Sequence, residues 1–176
     1  MSNTKEFKGI LPKISTNSYI DENACIIGDV SIGGNCSIWP YVVLRGDMLP
    51  IKIGDNCNIQ DGSILHTTHK SKYNPEGFAL SIGSNVTIGH KVLLHGCKIS
   101  DNTLIGMGSI VMDGSTVQSN VIVAAGSLVP QGKILESGYL WMGSPVKKIR
   151  KLTSKEIEFI KYSAENYSKL SKEYMQ

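Results

Sequence analysis

Aliphatic residues recur every six positions along this chain, and few folds tolerate that spacing. From Ile14 the count runs Ile20, Ile26, Ile32, Ile38 and Leu44. It resumes as Ile53, Ile59 and Leu65, then as Ile82 and Ile88, and last as Ile99, Ile105, Val111, Val117, Val123 and Val129. The fourth residue after each is nearly always small or β-branched, as in Ala24, Cys36, Val42, Cys57, Ser63, Thr103, Ser109 and Ser127. A period of six matches neither the 3.6 of an amphipathic helix nor the 2 of a half-buried strand. It predicts an all-β, parallel solenoid of three sides. Each unit makes one side, its aliphatic residue fills the interior, and the small residue fits the tight corner. Three units close a coil, and coils stack at the strand spacing of about 4.8 Å.

Two interruptions break the count. After Leu44 the register returns three residues late, at Ile53, and after Leu65 it returns only at Ile82. The second gap predicts an external loop over about 69–79, rich in Lys, Asn, Pro and Gly. Regular solenoids carry function on such extrusions. The expected organisation is a β-helix domain over 1–137, a connector over 138–152 and a C-terminal helix over 153–175 packed on the solenoid. Thr153 with Glu156 makes a capping box, and Ile157, Ile160, Ala164, Tyr167, Ser171 and Tyr174 form a helical stripe.

Composition closes off other classes. A net charge of +3 is too small for a nucleic-acid partner, and the basic run Lys147, Lys148, Arg150 and Lys151 reads as a solvated junction. No segment approaches the ~20 apolar residues of a membrane helix. Met1–Asn17 is polar and lacks the apolar stretch of a secretion signal. Cys25, Cys36, Cys57 and Cys97 show no CxxC spacing and read as packed, reduced thiols, so the expected compartment is cytoplasmic.

All four histidines, His66, His69, His90 and His95, fall in one stretch. His66 follows the interior Leu65 and therefore projects outwards. His95 follows Leu93 or Leu94, a one-residue contraction nearby leaving both phases open. With the external loop set aside, His66 and His95 stack on one outer face, close enough to share a metal. His90 follows Ile88 on the preceding face and points away. It completes a three-nitrogen site only when a neighbouring subunit supplies it, as in a trimer around a three-fold axis. His69 reads as a solvent-exposed loop residue. The same count sets Arg45 beneath His66 with Asp47 beside it, and puts Gln60 and Asp61 on the face of His90. Three imidazoles leave an open position on zinc, while iron and cobalt also suit imidazole.

Arg45-Gly46-Asp47, Asn58-Ile59-Gln60-Asp61-Gly62, His66 and His90-Lys91-Val92-Leu93-Leu94-His95-Gly96 resemble the γ-class carbonic anhydrases of the hexapeptide-repeat proteins. The likeness is to their YrdA-type bacterial branch and runs through Tyr162-Ser163-Ala164-Glu165-Asn166-Tyr167. The resemblance implies a left-handed parallel β-helix, a homotrimer, and a metal held by His66, His90 and His95. It implies reversible hydration of carbon dioxide to bicarbonate by metal-bound hydroxide. Gln60 would hydrogen-bond near the metal, Arg45 would pair with Asp61 across the interface, and Tyr167 would approach the site. The founding γ-class enzyme carries protons on loop acids; here Met48-Leu49-Pro50 has none, and the longer loop offers Glu76. The alternatives are a metal-binding homologue acting on another small substrate or hardly active, and a hexapeptide-repeat acyltransferase. Gly143-Ser144-Pro145-Val146-Lys147 resembles segments of both branches, but acyl transfer needs one base and not three converging imidazoles.

Overall fold

A computed structural model describes residues 3–175 as a three-sided parallel β-solenoid with one helix. The first face stacks Cys25–Ile32, Val43–Ile53, Ile64–His66, Leu93–His95, Ile110–Val111 and Leu128–Val129. The first two of these strands continue around a corner and start the second face, which adds Leu80–Ile82, Lys98–Ile99, Thr116–Val117 and Ile134–Leu135. The third face runs from Tyr19–Ile20 through Ser37–Ile38, Asn58–Ile59, Val86–Ile88, Thr103–Ile105 and Val121–Val123.

The six-residue count maps directly onto the interior. Ile26, Leu44, Leu65 and Leu94 behind the first face and Ile38, Ile59, Ile88 and Ile105 behind the third are all completely buried. Full burial of each aliphatic side chain contributes about 1.5–3 kcal/mol. The small residues, however, do not form the corners. Cys36, Val42, Ser63 and Val86 are themselves buried, at the start of each new side. The bend lies one residue earlier, at Asn35, Asn56, Asn85, Asn102 and Asn120 on one edge, with φ between 52° and 57°. Asparagine tolerates this left-handed region better than other side chains do. The residue after the bend points at the axis where the prism is narrow, and this is why it must be small.

The first interruption and the phase of His95 are resolved. Gly28 pairs with Gly46 and Val30 with Ile51, so the three-residue insertion is a bulge inside the long Val43–Ile53 strand. Leu94 is buried while Leu93 is 36% exposed, and Leu94 pairs with Leu65, which settles the phase of His95. Past Leu135, parallel stacking carries on to Tyr139–Met142, where Trp141 sits beside Val123. Lys147–Lys151 then folds back antiparallel and covers that strand's edge.

The helix Ser154–Tyr174 lies on the third face and buries Ile160, Ser163, Ala164 and Ser171. Its capping box of Thr153 and Glu156 is formed on both sides, and Arg150 holds Glu156 through two bonds of 2.7 and 2.8 Å. Trp39 joins the helix to the early coils, with Tyr19, Tyr167 and Tyr174 all 5.3–5.7 Å from it, centroid to centroid.

Candidate metal centre

The residues named from the sequence fall into two groups on either edge of the first face. The first group lies where that face ends. Its strands put His95 directly beside His66 in the next coil. His66 Nδ1 lies 3.0 Å from His95 Nε2, the two rings meeting edge to face. Each ring's other nitrogen meets a carboxylate: His66 Nε2 is 2.9 Å from Asp47 Oδ1, and His95 Nδ1 is 2.7 Å from Asp113 Oδ1. Arg45 donates to the second oxygen of Asp47 at 2.6 Å.

These contacts assign the ring hydrogens. An ionised carboxylate only accepts, so the nitrogen facing it carries the hydrogen. Burial holds His66 below the ordinary histidine pKa, against the opposing hydrogen bond to Asp47. Burial also works to raise the Asp47 pKa, but hydrogen bonds from Arg45 and His66 outweigh it and hold the carboxyl below the usual range. With both far nitrogens donating to carboxylates, neutral rings would present two lone pairs to each other across 3.0 Å. Facing lone pairs repel unless a cation or proton lies between them. Tetrahedral bonds of 2.0–2.1 Å set two ligand nitrogens about 3.3–3.4 Å apart, a few tenths of an ångström from what is found here. The pair supplies two of the nitrogen ligands that a divalent metal would take, and the carboxylate behind each ring is the usual outer-shell arrangement of histidine ligands.

The second group lies where the third face turns into the first. His90 Nδ1 is 2.9 Å from Asp61 Oδ2, and both side chains are half-exposed. Gln60 is buried and donates from Nε2 to Asn58 Oδ1 at 3.0 Å. Asn58 donates to Thr87, whose hydroxyl meets Ser163 of the helix at 3.0 Å. Tyr167 of the helix is half-buried; burial, with the Asp61 charge second, raises its pKa. Among the described residues, no three His, Cys, Asp or Glu side chains of one chain gather at a point. Two imidazoles converge, and the third stands at the other edge. Within one chain Arg45 pairs with Asp47 and Asp61 with His90, and the Arg45–Asp61 pair expected between subunits is not formed inside the chain. His69 is exposed in the loop, and Glu76 reaches Lys70 at 3.6 Å.

Sequence reading missed Asp113 and Thr68. Counting one 18-residue coil on from His95 lands on Asp113. Thr68 left no comparable signal, since it lies at the root of the loop where the count is lost.

The chain matches the bacterial transferase hexapeptide (six repeats) family over residues 12–46 and 96–131. It is 53% identical to Protein YrdA of Escherichia coli over 97% of this chain and 93% of that one. It is 48% identical to a carbonic anhydrase of Geobacillus kaustophilus, covering 86% of this chain and 79% of that one. Against the mitochondrial gamma carbonic anhydrase 1 of Arabidopsis thaliana it is 44% identical, covering 91% of this chain and 58% of that protein. A solved hexapeptide transferase family protein from Anaplasma phagocytophilum superposes with a TM-score of 0.88 at 43% identity, over 97% of both chains.

Proposed function

The chain belongs to the YrdA and γ-carbonic anhydrase-like branch of the hexapeptide-repeat proteins, whose fold is the left-handed parallel β-helix, and from that premise we propose that it is a trimeric, metal-dependent enzyme hydrating carbon dioxide reversibly. His66 and His95 of one subunit and His90 of its neighbour would hold the metal. One observation carries this reading: the two half-sites flank a single exposed aliphatic column. Ile64, Leu93 and Ile110 stack on adjacent coils with 45%, 36% and 41% of their surface exposed. The paired imidazoles lie on one side of this column, and His90 with Asp61 on the other. A head-to-tail contact that closes after three copies buries the column and brings unlike edges together.

When bound, a divalent ion held by three imidazoles supplies a Lewis acid with an open position for water. The chain's own groups do the rest. Asp47 and Asp113 keep the far ring hydrogens and aim the near lone pairs. Gln60 donates one of its two Nε2 hydrogens to Asn58 Oδ1, which leaves the second hydrogen and the carbonyl oxygen to offer at the buried edge. Its chain of hydrogen bonds to Asn58, Thr87 and Ser163 fixes that orientation from beneath the helix. Arg45 brings a cation to the site while holding Asp47.

The test is metal content per trimer together with carbon dioxide hydration, for wild type and His90→Ala, in protein purified without a metal-binding tag. The expected result is about three metals per trimer, with hydration abolished by the substitution. Full metal occupancy without hydration would move the reading to another small substrate. No metal after anaerobic reconstitution with zinc, iron or cobalt would end it. Acyl transfer is the second reading, favoured by the likeness to a hexapeptide transferase family structure. Tight metal with no binding of coenzyme A sets it aside.

A further inference from the structure

Two carboxylates back the paired imidazoles. Asp47 sits in the bulge of the preceding coil, as the last residue of the Arg45-Gly46-Asp47 motif. Asp113 belongs to the following coil, and no recognised motif includes it. Its two oxygens are both engaged: Oδ1 with His95 Nδ1 at 2.7 Å, and Oδ2 with the Thr68 hydroxyl at 2.9 Å. Thr68 stands at the root of the external loop, where its N–H and carbonyl pair with Phe78 at 3.0 and 2.9 Å. Phe78 packs against the corner made by Gly96 and Gly114. A Cβ on Gly114 would come within 2.8 Å of its ring, so the corner accepts the aromatic only because it has no side chains. Next in the chain, Thr67 accepts from the Leu49 N–H at 3.1 Å and donates to the Leu49 carbonyl at 3.2 Å, tying the loop root to the Asp47 bulge as well.

Resting on the metal-binding reading above, we infer that Asp113 is the positioning residue of His95 and that Thr68, held by the loop root, seats Asp113. A neutral imidazole carries one N–H, and either nitrogen can bear it. Only the form protonated at Nδ1 leaves Nε2 as a lone pair facing His66. A free imidazole populates both forms, and the wrong one aims an N–H at the metal. Asp113 selects the competent form by accepting from Nδ1, and by holding the ring it also sets its direction. Thr68 restrains the carboxylate by donating to Asp113 Oδ2, and its hydroxyl also lies 3.4 Å from His95 Nδ1, a far longer approach than the 2.7 Å of Asp113. The external loop thereby acts on the metal centre through its root, with none of its tip residues in contact with the ligands.

The test uses the full chain as purified, stripped of metal, with Asp113→Ala, Asp113→Asn and Thr68→Val. Zinc affinity is measured by competition with a chromogenic chelator. Nitrogen-15 labelling of the four histidines reads the His95 tautomer in the metal-free protein. Removing an outer-shell partner of a histidine ligand weakens metal binding by roughly 10–100-fold, which is the loss expected for Asp113→Ala. Asp113→Asn, which retains an acceptor oxygen, recovers part of it, and Thr68→Val costs only a few-fold, on the order of the loss of one hydrogen bond. In the metal-free protein Asp113→Ala moves the His95 hydrogen towards Nε2. Zinc affinity within about two-fold of wild type, or an unmoved tautomer, in a folded Asp113→Ala protein overturns the inference. If Asp113→Ala does not fold, Asp113→Leu, which fills the space of the carboxylate without an acceptor, decides by the same two readings. A wild type that binds no metal removes the metal reading alone, since the tautomer readout still decides whether Asp113 holds His95.

Discussion

Gly106 and Gly126 lie in successive coils along one corner and do opposite jobs. Gly126 has φ +68° and open space where a Cβ would go, so it is glycine for its backbone conformation alone. Gly106 has no such conformation, but a Cβ there would stand 2.5 Å from the Ala125 nitrogen and 2.8 Å from the Val123 carbonyl oxygen. Gly126→Ala is therefore expected to cost about 1–2 kcal/mol, the left-handed penalty. Gly106→Ala, which must push the next coil aside, is expected to cost about 3 kcal/mol. Denaturant unfolding at one fixed protein concentration measures both, and equal costs would contradict the division of roles. Legibility at this scale follows the same logic. Interior positions were readable because each admits only one kind of side chain. The bend was not, because Tyr41 and Lys91 occupy left-handed positions, at φ 61° and 56°, where other coils have glycine. Nor was the phase of His95, because Leu93 and Leu94 are equally aliphatic and the following step to Ile99 is five residues long.

At the scale of elements the C-terminal helix depends on its first turn. Thr153 accepts from the Glu156 N–H at 3.2 Å, and the Glu156 carboxylate accepts from the Thr153 N–H at 2.8 Å and from Arg150. Loss of this cap in Thr153→Ala is expected to cost about 1 kcal/mol. The hydrogen bond from Arg150 first, then that from Thr153, depresses the Glu156 pKa from 4.5 to about 2. A depressed carboxyl binds fewer protons folded than unfolded, so its contribution is full above pH 4.5 and is lost as pH falls through about 2. Helix docking is therefore expected to weaken across that window, and Glu156→Gln to flatten this part of the profile. The fluorescence of Trp39, packed against Tyr167 and Tyr174, reports it. An unchanged slope in Glu156→Gln would show that other carboxylates govern the acid response. This element was legible because the capping box and the Ile160–Ala164 stripe are local signals. The antiparallel return of Lys147–Lys151 was not: its five exposed residues include four basic ones and carry no strand periodicity.

The whole molecule holds what a single chain cannot. Arg45, Asp47, His66 and His95 meet on one edge of the first face, while Gln60, Asp61, His90 and Tyr167 gather at the other, and no periodicity within one chain tells how the two edges meet. Subunit mixing decides it. His66→Ala removes one half-site and His90→Ala the other, so neither homotrimer is expected to retain metal. In a mixed trimer, each site takes its imidazole pair from one subunit and His90 from the next. Whatever the ratio of the two variants, a three-membered ring containing both has one junction where an intact pair faces an intact His90. Mixed trimers isolated through two distinguishable, non-metal-binding tags are thus expected to hold about one metal and about one third of wild-type hydration. If all three ligands came from one chain, each subunit of the mixed trimer would stay defective. Neither metal nor activity would then return on mixing, and the shared site would be wrong.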